Sequence, residues 1–341
     1  MIIEKALLQM ALEKVKPGLS SKEILLQSNN FAFFGDRVVT YNDEISVSCP
    51  VPGLDITGAV KSDELYKFIT KAAADKIDIS IQESEIHLKA GRAKVGLAFN
   101  PEVLLPLTEL GEVSEKMDLP EDFLFGLTSV LFCVGNDMTR PRLTCVHCRE
   151  DGILEACDNS RFIQYTMKDV LPEFLIPGSS VRELLKYSVK RIGFTEGWAH
   201  FWDDSGVSFS CRLFSDEYPV LENNMKNLHD AQKIVFPEDL DAVLTRAQIF
   251  VAKTDLKYAS TVDISVEGRK MFIRAEMNGA WFEEWVKVEP YTPPCAFSVN
   301  PVFLQDIMKR NTSCQFYDGK CVIFKGENWL HMAALQTRTD K

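Results

Sequence analysis

The chain has 341 residues, 46% of them hydrophobic, and its 38 basic and 49 acidic side chains give a formal net charge of −11. That length supports two or three ordinary cores. The charge excludes a protein that coats nucleic acid with its whole surface, but not a basic stripe on an acidic body. Nine cysteines, an odd number scattered through strand-like and helical patterns, indicate reduced thiols rather than a disulfide framework. The first apolar stretch is broken by Glu4, Lys5, Glu13 and Lys14, unlike a signal peptide, and no apolar run approaches a membrane span. The expected location is a cytosol, with no membrane partner.

In chain order, Ile3–Val15 reads as a helix with Ala6, Leu7, Met10 and Ala11 on its inner face, stopped by Pro17-Gly18. Ile24–Gln27, Phe31–Gly35, Arg37–Tyr41 and Ile45–Val51 read as short strands separated by Asn and Gly turns. Pro101–Met117 is a linker. Pro120-Glu121-Asp122 then opens a helix to about Val134, its early acids suited to the positive end of the helix dipole. Strands at Leu143–Cys148, Ile153–Cys157 and Arg161–Met167 follow, and Glu222–Asp230 is a second linker. Phe236-Pro237-Glu238-Asp239-Leu240 nearly copies Leu119-Pro120-Glu121-Asp122-Phe123 and opens a helix to about Ala252. After it come strands at Ser260–Glu267, Lys270–Met277 and Glu283–Glu289.

One cassette recurs three times, at Val60–Phe99, Ile176–Phe214 and Phe297–Leu335. Each opens on an apolar residue or two and a cap-like Ser or Asn (Ser62, Ser180 or Ser179, Asn300), continues as a one-faced helix and ends in alternating strands. A repeat of this length marks repeated domains rather than a solenoid. Each third is therefore two similar halves with two helices and about eight strands, an α+β layout with two sheets side by side. The expected domains are 1–112, 113–227 and 228–341.

This arrangement resembles the bacterial or phage DNA polymerase sliding clamp, the DNA polymerase III beta subunit family, over nearly the whole chain. The resemblance rests on Gly152–Phe162, on Asp216-Glu217-Tyr218-Pro219, on Phe297–Arg310 and on His331–Arg338, in this order and spacing. It implies a DNA clamp fold of three similar domains. Two chains would join head to tail into a closed ring, with twelve helices lining a hole for duplex DNA. Such a homodimer is not an enzyme and needs no cofactor. It tethers the replicative polymerase by topology and binds that polymerase and a clamp loader through short linear peptides. An alternative is a clamp-fold scaffold that binds proteins without encircling DNA.

A sliding ring needs basic groups that touch phosphates without reading sequence. Lys5, Lys14 and Lys16 belong to the first helix and its end, Lys67 and Lys71 to the second, and Arg182, Lys186, Lys190 and Arg191 to the fourth. Arg246 and Lys253 belong to the fifth, and Lys309 and Arg310 to the sixth. Lys22 matches a family position that touches DNA. Some of these bases simply complement helix C-termini in the blander reading. The third helix, Glu121–Val134, carries no Lys or Arg, and Arg140 and Arg142 lie just beyond it.

The resemblance also implies a pocket for short partner peptides at Leu143, Cys157, Asn159, Ser160, Arg161, Phe162, Pro219, Asn223, Asn224, Ala333 and Leu335. The blander reading makes Leu143, Phe162 and Leu335 core strand residues. Asn159-Ser160, Asn223-Asn224 and Gln336-Thr337 depart from the family pattern and make the pocket more polar. A chain serving its own polymerase, as in a phage, would account for that. The implied dimer contact sets Val95 and Leu97, on an edge strand, against Ile249 and Phe250 of the partner copy.

Other chemistries fit poorly. Cys145-Val146-His147-Cys148 suggests zinc, but residues three apart on a strand point to opposite faces, and no second ligand pair has the right spacing. No phosphate-binding glycine loop, nucleophile elbow or metalloprotease helix motif is present in the sequence.

Overall fold

The structure is a computed structural model and describes residues 1–226, 228–251, 260–290, 292–317 and 319–336. The first third contains β1 (Ile2–Glu4), α1 (Lys5–Val15), β2 (Asn30–Gly35), β3 (Arg37–Tyr41), β4 (Ile45–Pro50) and β5 (Ile56–Lys61). It ends with α2 (Ser62–Lys71), β6 (Lys76–Gln82), β7 (Glu85–Ala90) and β8 (Ala93–Asn100). The middle third begins with β9 (Met117–Asp118), α3 (Phe123–Val130), β10 (Cys145–Cys148), β11 (Ile153–Cys157) and β12 (Arg161–Thr166). It continues with β13 (Phe174–Pro177), α4 (Gly178–Leu184), β14 (Arg191–Thr195), β15 (Trp198–Trp202) and β16 (Ser208–Arg212). The last third opens with β17 (Gln232–Val235), α5 (Leu240–Ala247), β18 (Val262–Glu267), β19 (Lys270–Met277) and β20 (Ala280–Lys287). It closes with β21 (Ala296–Val299), α6 (Pro301–Met308), β22 (Ser313–Tyr317), β23 (Cys321–Lys325) and β24 (Trp329–Ala334).

These elements form two compact units, one of Met1–Glu121 and Ile176–Ser215, the other of Asp122–Leu175 and Asp216–Lys341. The first holds a twelve-stranded sheet in the order β1-β6-β7-β8-β5-β2-β3-β4-β16-β15-β14-β9. The second holds an eight-stranded sheet, β13-β10-β11-β12-β24-β23-β22-β17, and a four-stranded sheet, β20-β19-β18-β21. Sheets therefore do not stop at each third, as the two-sheet expectation held. β16 pairs with β4, Phe209 opposite Val47, and β12 pairs with β24, Phe162 opposite Met332. Each half of the middle third completes its hydrogen bonding on a strand from another third.

In the first unit α1 and α2 pack on each other. The inner face of α1 is Leu8, Ala11, Leu12 and Val15, with Leu7 and Met10 exposed, which corrects the expected face. Both stripes of this helix are apolar at first, but the expected one runs into Glu13 and Lys14 a turn later, whereas Leu8, Ala11, Leu12 and Val15 stay apolar to the helix end. Ile24–Gln27 is not a strand. Gln27 adopts φ 63, and its side chain bonds the Glu102 carbonyl and the Leu104 amide, pinning a loop that leaves Ile24 and Leu26 exposed. Helix α3 ends at Val130 and passes into a short 3-10 turn, Leu131–Cys133, before the expected Val134. It packs closely on β11 and β12 because Gly126 has no side chain: a Cβ there would stand 2.7 Å from Leu154 and 2.8 Å from Tyr165. The second unit's core stacks Phe236 on Phe324 and sets Phe297 against Phe316. Each such buried ring contributes about 1.5–3 kcal/mol.

Candidate functional site

Strands β11, β12 and β24 and the 3-10 turn Leu221–Met225 enclose a cleft of about 260 Å³ in the second unit. Its floor is an apolar cluster of Cys157, Phe162 and Leu221, flanked by Leu143, Tyr218 and Met332. Of the expected pocket residues, Leu143, Cys157, Asn159, Ser160, Arg161, Phe162, Pro219 and Asn224 line it. Asn223 is exposed outside it. Ala333 and Leu335 face the unit's core instead, and their alternates Met332 and Ala334 take the cleft side. Strand alternation makes a one-residue slip exchange the two faces. Leu221 and Arg140 also line the cleft. Leu221 had only a weak signal in the sequence, one of an apolar pair with Val220 just before a polar segment.

The polar rim is fixed from within. Arg161 is only 6% exposed. Its guanidinium donates to Asp306 at 2.9 Å, to the Phe132 carbonyl at 2.8 Å and to Asp158 at 3.3 Å, and it lies over the Phe303 ring at 4.3 Å. Each of its three nitrogens donates inside the unit, so it props the wall and offers little to a ligand. Arg140 is exposed and donates to Asn159 at 2.8 Å.

Two buried histidines flank this region in opposite surroundings. His331 is fully buried between Phe132 and Phe324, neither ring nitrogen has a partner among the described residues, and burial beside Arg161 and Arg310 keeps it neutral. His147 instead meets Glu155 and Glu173, each at 2.8 Å. Among the described residues no cluster of His, Cys, Asp and Glu is placed to hold a metal ion.

A second feature is a pair of open strand edges. β8 pairs with β7 along its length but meets β5 only at Phe99 and Asn100. There Gly58, at φ 145, allows a close approach: a Cβ would stand 2.5 Å from the Asn100 carbonyl. Residues 93–98 thus present an unpaired edge among the described residues, with Val95 and Leu97 half-buried on its inner face. β20 ends the four-stranded sheet and pairs with β19 alone. Beside it Ile249 is 67% exposed, and Phe250 stacks on Phe282 at 5.7 Å. Trp281, 72% exposed, and Trp285 stand on its outer face. Sequence reading missed these two tryptophans, although two aromatic residues four apart on an alternating strand share one face.

The expected DNA-contacting bases are distributed over both units. In the first, Lys5 donates to the Ala72 carbonyl, Lys14 lies near Asp203 and Lys16 lies over the Tyr66 ring. Lys67, Lys186 and Lys190 pair with Asp63, Glu183 and Asp204. Lys22, Lys71, Arg182 and Arg191 are exposed, with no ion-pair partner among the described residues. The Tyr187 hydroxyl, just past α4, donates to the Lys14 carbonyl, so the basic ends of α1 and α4 adjoin. In the second unit Arg142 lies 4.0 Å from Asp216, Arg246 forks onto Glu284, Lys309 is exposed and Arg310 lies over Phe132. Exposed pairs of this kind contribute little to stability and exchange readily for a phosphate. α3 presents Phe125 and Thr128 outward and no charge. Ala252, Lys253 and Thr337 lie outside the described residues.

The architecture is that of the DNA polymerase sliding clamps, a sheet-rich α+β fold of three similar domains. Over 99% of both chains it matches the DNA polymerase sliding clamp from Bacillus subtilis, at TM-score 0.84 and 18% identity. It matches DNA polymerase III subunit beta from Pseudomonas aeruginosa at 0.84 and 17%, and the beta subunit from Thermotoga maritima at 0.81 and 15%, with the same coverage. No protein-family model and no curated protein matches the sequence. At such identities the likeness defines the fold.

Proposed function

We propose that this chain is a DNA sliding clamp, a non-catalytic ring of two copies that encircles duplex DNA and tethers the replicative polymerase through the cleft. Its domains are 1–112, 113–227 and 228–341. The carrying observation is the pair of half-covered edges. If β8 of one copy pairs with β20 of the other, Val95 and Leu97 join a surface with Phe282, Ile249 and Phe250, and both open ladders are satisfied. Two such contacts, head to tail, close a ring. The bases of α1, α2 and α4 supply sequence-independent attraction to phosphates, and the clamp loader and polymerase reach the cleft as short peptides.

The test is retention on DNA. A closed ring has a solution mass about twice 38.6 kDa and, once loaded, stays on nicked circular DNA until the circle is cut. Equal retention on circular and linear DNA overturns the encircling reading and favours a protein scaffold with the clamp fold. The uncharged outer face of α3 is the observation on that side.

A further inference from the structure

We propose that His147 is a positioning residue for the cleft: as an imidazolium gripped by Glu155 and Glu173 it fastens the Tyr218-Pro219 wall, and partner binding weakens when the ring gives up its proton. The proposal rests on reading the cleft as the partner site. Both ring nitrogens meet carboxylate oxygens at 2.8 Å, Nδ1 at Glu155 and Nε2 at Glu173. A neutral imidazole has a single N–H, so satisfying two acceptor-only groups requires both protons on the ring. The Tyr218 ring lies against this cation at 4.8 Å between centroids. The Tyr218 hydroxyl accepts from the Cys157 amide at 2.9 Å and donates to the Cys157 Sγ at 3.4 Å. Cys157 and Pro219 both line the cleft. A continuous chain of contacts therefore runs from the clasp to the wall.

The surrounding charges are those of β10, β11 and the two segments packed on them. Arg149 lies 3.6 Å from Glu155 and pairs with Asp151 and Glu222. Gln164 donates to Glu155 at 2.8 Å and to Glu222 at 3.0 Å. Glu150, in the β10–β11 turn, completes the group. Arg149 answers Glu222 and Asp151, leaving His147 as the cation that holds Glu173. Burial pulls the imidazole pKa down, but the hydrogen bonds and charges of Glu155 and Glu173 outweigh it and hold the ring above its ordinary value. The folded pKa is raised, so the clasp is complete below the ordinary imidazole value of about 6.5 and is lost as pH rises through the folded pKa. On deprotonation one carboxylate loses its donor, and exposed Glu173 is the one able to turn to water.

Cys157 reports the wall directly. In the full chain, the rate of Cys157 alkylation by iodoacetamide is read by mass spectrometry for wild type, Glu173→Gln and His147→Gln. The ratio of variant to wild type at each pH cancels the thiol's own ionisation. Glu173 is exposed, so its variant keeps the fold if the histidine variant does not. With one charge-assisted bond removed, the Glu173→Gln ratio should be about tenfold at about pH 6 and fall towards unity by about pH 9, as the wild type opens. A ratio of unity, or one independent of pH, overturns the clasp. In a second arm, the tightest binder among labelled peptides tiling the cognate polymerase should bind wild type more weakly as pH rises over that window, and Glu173→Gln weakly throughout. Peptide binding that ignores pH while the alkylation ratio follows it overturns the link to the partner. A peptide that binds at no pH overturns the cleft reading and leaves the clasp standing.

Discussion

The open edges of β8 and β20 have the same residue-by-residue exposure and opposite chemistry. Each alternates an inner face that is half covered with an outer face in water. The outer face of β8 is small and basic, with Lys94, Gly96 and Ala98, whereas that of β20 is large and acidic, with Trp281, Glu283 and Trp285. A strand like β8 gains little from pairing with its own copy, where cation would meet cation and small side chains would leave gaps. It gains more from a strand like β20, where rings cover glycine and alanine and Glu283 answers Lys94. Identical exposure leaves room for a neighbour at both edges, and unlike chemistry favours the proposed heterologous contact over pairing of like with like.

The largest disruption should come from Leu97→Asp, which places a charge on the inner face that pairing would bury. We expect dimer dissociation to rise at least about a hundredfold, roughly 3 kcal/mol, by analytical ultracentrifugation. The melting temperature at low protein concentration should change little, because Leu97 is already half in water. An unchanged dimer would remove β8 from the interface. Next, Trp281→Ala should weaken the dimer by about 2 kcal/mol, the scale of a central aromatic contact. Met138→Ala, a change at an equally exposed residue elsewhere, should leave it intact. Equal effects of the two would mean that exposure, not position, matters. The smallest effect is Lys94→Glu, about 0.5–1 kcal/mol and fading with salt, with recovery on adding Glu283→Lys. Failure of the double variant to recover would separate these charges. Glu283 already pairs with Arg274, which limits the gain available from Lys94.

The repeated helices and most strands were legible because apolar periodicity is a local property. The cleft was legible in part, through the resemblance carried by Gly152–Phe162 and Tyr218-Pro219. The pairings β4–β16 and β12–β24 were not, since alternation tells a strand which face to bury and not which strand to join. The same limit put Ala333 and Leu335 in the cleft in place of Met332 and Ala334. The inner face of α1 was ambiguous because both of its stripes are apolar. Ile24–Gln27 looked like a strand by composition, and only the distant carbonyl of Glu102 and amide of Leu104 explain its loop. His147 drew notice in the sequence only through the zinc-like Cys145–Cys148 pattern, and its clasp was invisible because its two carboxylates come from 8 and 26 residues away.

The place of β24 between β12 and β23 also sets a clock for synthesis. Its register partner on β12 leaves the ribosome roughly 170 residues earlier, Tyr165 opposite Trp329, a delay of about 10–30 s at ordinary elongation rates. Through that interval β10, β11 and β12 carry an unfilled hydrogen-bonding edge and an uncovered apolar face. The nascent chain is most open to aggregation, and most in need of a chaperone, just before its last strand slots into the middle of the sheet.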